Sequence, residues 1–79
     1  MNNNATNEQL RTHYFGGTRT NGYSRINTHI DDAINFPGLS QDKRMQKLQD
    51  ADKIIELIEN ELTRNIYQKQ VQTAREQIK

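Results

Sequence analysis

Phe36-Pro37-Gly38-Leu39-Ser40 is the stretch on which the fold turns. All four glycines and the single proline lie before Ser40, and residues 41–79 contain neither. The second half is rich in Gln, Lys, Glu, Asp, Arg, Leu and Ile, which predicts one long helix over 41–79. Ser40 stands at its N-cap, with Asp42 in the first turn, where a negative charge suits the helix dipole. Such a helix would span about 58 Å at about 1.5 Å per residue.

Along that helix Leu48, Ala51, Ile55, Ile58 and Leu62 recur in steps of three and four, a coiled-coil-like seam. Met45 extends it backwards, and Ile54 and Leu57 broaden its middle. After Leu62 the register shifts to Ile66, then Tyr67, Val71, Ala74 and Ile78, a break resembling a stutter.

Upstream of the corner, Tyr23, Ile26, Ile30 and Ala33 share one helical face, and Ile34 widens the stripe. This middle helix starts behind an Asn21 cap and stops near Asn35, because Pro37 biases Phe36 away from helical geometry. Further back, Thr6-Asn7-Glu8-Gln9 matches a capping box and opens a short helix over residues 7–15. Leu10 and Tyr14 share one of its sides, and Gly16-Gly17 ends it through the left-handed conformation glycine readily takes. Residues 1–6 form an Asn-rich polar tail, and 7–79 a single helical domain.

The expected fold is therefore all-α. A short N-terminal helix, a Gly-rich loop, a middle helix, a Pro-Gly corner and a long C-terminal helix form an antiparallel hairpin. The middle helix would cover only about the first four turns of the long one. That reaches to around Ile54–Ile55, and the short helix could cover two or three turns more. Much of Ile58, Leu62, Ile66, Val71 and Ile78 would still lack a partner within the chain. Burying an aliphatic side chain stabilises by roughly 1.5–3 kcal/mol, so a homo-oligomer with Ile55, Ile58, Leu62, Ile66 and Val71 at its interface is expected.

A chain of 79 residues is near the size where one core needs help from staples or association. No cysteine is present, which excludes disulfides and thiolate metal sites. A net charge of +1 gives no general electrostatic case for nucleic acid. No apolar run reaches membrane-spanning length, and the N-terminus lacks the regions of a secretory signal, so a cytoplasmic protein is expected.

One basic window offers a candidate site. Between Gln9 and Ile30 stand Arg11, Arg19 and Arg25, with no acidic residue. Gly16, Gly17, Thr18, Arg19, Thr20, Tyr23 and Arg25, with Tyr14 beside them, could bind an anion or nucleotide through loop N–H groups, hydroxyls and guanidinium forks. The window departs from the P-loop pattern, since no Lys-Ser/Thr follows the glycines and no strand precedes them. The structural alternative is a helix stop, a polar loop and an N-cap.

At the corner, Asp31 and Asp32 oppose one helix dipole, and Lys43, Arg44 and Lys47 oppose the next. Both mismatches resolve if these groups face each other across the turn; otherwise the three cations form a patch for an acidic partner. His29 and Asp32 have metal-ligand spacing but no evident third ligand. No catalytic constellation stands out and no cofactor is implied. The function expected is a small non-enzymatic interaction protein, an adaptor or inhibitor of the kind encoded by phages and mobile elements, with a protein partner. The alternative is sequestration of a nucleotide or phosphorylated metabolite at the Gly-rich loop.

Overall fold

The computed structural model describes residues 6–16 and 21–78. Residues 1–5 of the expected tail and the loop residues Gly17, Thr18, Arg19 and Thr20 lie outside them, while Thr6 belongs to the α1 cap. The described residues form four helices and no strand: α1 (Asn7–Phe15), α2 (Gly22–Asn35), α3 (Gln41–Ile55) and α4 (Glu61–Gln77). Three starts follow the expected caps. The Gln9 amide donates to Thr6 Oγ1 at 3.1 Å while the Thr6 amide donates to Gln9 Oε1 at 2.9 Å, a complete capping box. Asn21 accepts from the Ser24 amide at 3.0 Å, and Ser40 from the Lys43 amide at 3.3 Å. Gly16 ends α1 in right-handed geometry, with φ −93° and ψ −10°, and Gly17, the other glycine of the expected stop, lies outside the described residues. The Gly16 amide reaches Thr12 O at 2.8 Å, as in one further helical step. Left-handed backbone occurs at Gly38, φ +83°, where Pro37-Gly38 gives the proline-then-glycine pattern of a type II turn.

The expected long helix is two helices. The longest extent of the molecule is 34 Å, well short of the 58 Å or so of an unbroken helix. The chain breaks at Glu56–Asn60 because both apolar residues there point inward: Leu57 is 6% exposed and Ile58 3%. Past Ile55 the ladder tightens, with the Leu57 amide on Ile54 O and the Ile58 amide on Ile55 O, both at 3.0 Å. Asn60 then caps α4, accepting from the Thr63 amide at 2.9 Å. The register shift read as a stutter after Leu62 follows from the change of direction at residues 56–60, since the new helix turns a different face to the core.

The core joins Ile26, Ile30 and Ala33 of α2 to Leu48, Ala51, Ile54 and Ile55 of α3, then to Ile58 and to Val71 and Ala74 of α4. Contact is most extensive between α2 and α3, and α4 packs on both. Tyr23 does not join this core. It is 39% exposed and stacks on Tyr67 of α4, with ring centroids 5.7 Å apart and planes 24° from parallel. Phe15 meets the same Tyr23 ring at 4.9 Å, so α1 is tied to α2 and α4 through aromatic contacts. Gly22 makes room for this: a Cβ there would stand 2.6 Å from the Phe15 ring.

Candidate functional site

Three arginines, Arg11, Arg44 and Arg64, are spent on the chain's own carbonyls. Arg44 donates from Nη1 to Ala33 O at 2.8 Å and Ile34 O at 3.3 Å, from Nη2 to Phe36 O at 2.8 Å, and from Nε to Leu39 O at 3.2 Å. One guanidinium thus satisfies carbonyls that the end of α2 and the Pro37 turn leave without main-chain partners. The second corner repeats the device. Arg11 Nε donates to Leu57 O at 2.9 Å, and Arg64 Nη1 to Ile58 O at 2.8 Å. Arg44 therefore answers the α2 dipole through carbonyls, not through Asp31 or Asp32. Among the described residues the ion pairs are Arg11–Glu59 at 3.8 Å and Arg75–Asp52 at 2.5 Å, and neither crosses the first corner. Asp31 instead accepts from Asn35 Nδ2 at 2.8 Å.

Of the residues expected to bind an anion, Gly17, Thr18, Arg19 and Thr20 lie outside the described residues. Tyr14 and Arg25 do come together, with the guanidinium carbon 6.0 Å from the ring centroid, the outer limit of a cation–π contact. Gly16 serves as the α1 cap, and Tyr23 is engaged with Phe15 and Tyr67.

Of the residues expected at an oligomer interface, Ile55, Ile58 and Val71 are 0%, 3% and 1% exposed within the single chain. The break at Glu56–Asn60 lets α4 cover them, which removes the reason for giving them an external partner. Leu62 and Ile66 behave differently: they are 76% and 58% exposed. They are one turn apart on the side of α4 opposite Val71, because a helix that buries residue 71 turns residue 62 outward. Ile66 also borders an open groove of about 490 Å³ between α2 and α4, lined by Ile30, Ile34, Lys69, Gln70 and Thr73. Ile66, Ile34 and Ile30 thus border one apolar groove, with Leu62 exposed one turn before Ile66 on α4, while Phe36 is exposed separately at the Pro37 corner. The sequence signal for Leu62 and Ile66 was the same aliphatic spacing that marks the core. Only the reversal at residues 56–60 separates the two.

A second concavity, about 270 Å³, lies between α1, α2 and α3 and is walled by Leu10, Tyr14, His29, Ile54 and Leu57, with Asp50 and Lys53 also lining it. His29 Nδ1 is buried without a hydrogen-bond partner among the described residues, and it has too little exposed surface to meet a ligand in that space. No group of three or more His, Asp or Glu among the described residues could hold a metal ion, His29 and Asp32 included. No helix among them is long and apolar enough to cross a membrane. Comparison with known protein families, curated proteins and solved structures finds no match.

Proposed function

We propose that the protein is a non-enzymatic interaction module that acts as a homo-oligomer, with the outward face of α4 and the adjoining α2 groove as its contact surface. In this reading α2 and α3 form an antiparallel hairpin about Pro37-Gly38, and α4 lies across it to present Leu62 and Ile66. The observation that carries it is the exposure of those two aliphatics beside a groove walled by Ile30 and Ile34. A chain this small has few apolar residues to spare from its core. Contiguous apolar surface, as opposed to a lone exposed residue, marks contact sites. Adaptor or inhibitor roles follow if the same surface, or the opposite side of the oligomer, engages a further protein.

Sedimentation velocity across a concentration series tests this. The unmodified chain is expected to show a sedimentation coefficient that rises with concentration, and Ile66→Asp is expected to abolish the rise. Because Ile66 is mostly exposed, the same substitution should leave urea unfolding at low protein concentration within about 0.5 kcal/mol of the parent. A unmodified chain that stays monomeric at every concentration would sink the proposal.

A further inference from the structure

We infer that α1 is a detachable cover. It undocks and melts as a unit while α2, α3 and α4 stay folded, and its release uncovers Leu57 and the outer edge of Ile54. This device does not depend on self-association.

Three observations set α1 apart. No α1 residue is buried, whereas α2, α3 and α4 each contribute to the core cluster. Tyr14 and Phe15 pack against that cluster only half-buried. The seat of α1 is also not close-packed. The concavity of about 270 Å³ has Leu10 and Tyr14 of α1 on one side and His29, Ile54 and Leu57 on the other. A gap of that kind forfeits the dispersion contacts that hold core helices together. Finally, the polar and aromatic ties are few. Among the described residues they are the Arg11 Nε bond to Leu57 O at 2.9 Å, the 3.8 Å approach of Arg11 to Glu59, the Phe15–Tyr23 ring contact and the distant Arg25–Tyr14 approach. Each can be lost without stranding a buried charge. The Glu59 side chain is 78% exposed, and water replaces Arg11 at the Leu57 carbonyl once the cover lifts.

Leu57 is the residue this cover protects. It is 6% exposed, yet it does not belong to the core cluster that holds its neighbour Ile58. Leu10 and Tyr14 stand across the cavity from it, and Arg11 and Phe15 flank it beside Ile58. Ile58, held by the core, keeps the α3–α4 corner in place when α1 leaves. Once off, α1 does not persist as a helix. Its nine residues are fewer than the roughly 12–15 an isolated helix needs in water. Undocking and melting are therefore one event, a local opening well short of global unfolding.

Native-state hydrogen exchange of the unmodified chain tests this. Amides of residues 10–15 are expected to exchange at least about 100-fold faster than those of Ile30, Leu48 and Val71. Their rates should barely respond to low urea, because the opening exposes little surface, whereas the core rates should rise steeply. Core and α1 amides that share one rate and one urea slope would make α1 part of the global unit and overturn the inference. So would α1 amides as fast as those of an unstructured peptide, since a cover needs a docked state. The uncovering of Leu57 is read by thiol labelling, as the chain has no native cysteine. Leu57→Cys is expected to label with the flat urea dependence of the α1 amides, and Val71→Cys, at a core position 1% exposed in the parent, with the steep dependence of the core. A Leu57→Cys thiol that follows the core slope would show that α1 opens without baring this residue, and the cover would be refuted.

Discussion

Arg44 shows how one side chain can set a corner. A helix ends with carbonyls that lack main-chain donors, and the usual remedies are water, a glycine or a cation nearby. Here four carbonyls from Ala33 to Leu39 receive one planar guanidinium, whose fork of five N–H groups suits that geometry. Lysine carries the same charge on a single nitrogen and cannot reach all four. Arg44→Met is therefore expected to destabilise the fold by about 2–4 kcal/mol in urea unfolding, and Arg44→Lys to recover less than half of that loss. Equal stability for the Lys and Arg forms would show that charge near the helix end matters and the fork does not. Gly38 is the second fixed point of the corner. At φ +83° an added Cβ meets no neighbour, so the penalty is conformational and not steric crowding from elsewhere. Gly38→Ala is expected to cost about 1–2 kcal/mol, measured in the same way.

At the level of elements, the sequence announces some boundaries and conceals another. Thr6, Asn21 and Ser40 each precede an apolar-periodic run, and Pro37 forbids continuation, so α1, α2 and the start of α3 were legible. The α3–α4 break was not. Glu56-Leu57-Ile58-Glu59-Asn60 contains no glycine or proline, and Leu57 and Ile58 fall on a stripe that an unbroken helix would also show. What ends α3 is tertiary: burial of two side chains, together with Arg11 and Arg64 donating to their carbonyls, outweighs helical preference over five residues. Asn60 with Thr63 was the one local sign, an N-cap inside an apparent helix. Of the expected anion-site residues, Gly17, Thr18, Arg19 and Thr20 lie outside the described residues, while Tyr14 and Arg25 approach each other. Three arginines close together in sequence suggest phosphate, yet Arg11 is drawn 46 residues along the chain to Leu57. Two substitutions probe the second corner. Ile58→Ala is expected to cost about 2–5 kcal/mol, and Asn60→Ala about 1 kcal/mol. An Asn60→Ala form with a longer helix and unchanged stability would mean that the cap is not what separates α3 from α4.

For the molecule as a whole, α4 is part of the core and not an appendage, since Val71 and Ala74 close over the residues supplied by α2 and α3. Gln41 Nε2 also donates to Ile78 O at 2.9 Å, joining the start of α3 to the end of α4, and the Arg75–Asp52 pair holds the same two helices together. A chain stopped after Asn60 would leave Ile55 and Ile58 wet, each forfeiting roughly 1.5–3 kcal/mol of burial. It is expected to lose cooperative thermal unfolding in calorimetry, and a sharp transition in that fragment would show that α4 is dispensable. The arginine-bound corners also give the protein a chemical clock. Diketone reagents attack free guanidinium groups, so exposed Arg25 should be modified early, whereas Arg44, held against four carbonyls, should react only when its corner opens. The lag between the two would time the loosening of the first turn in solution, without a fluorophore and without a substitution.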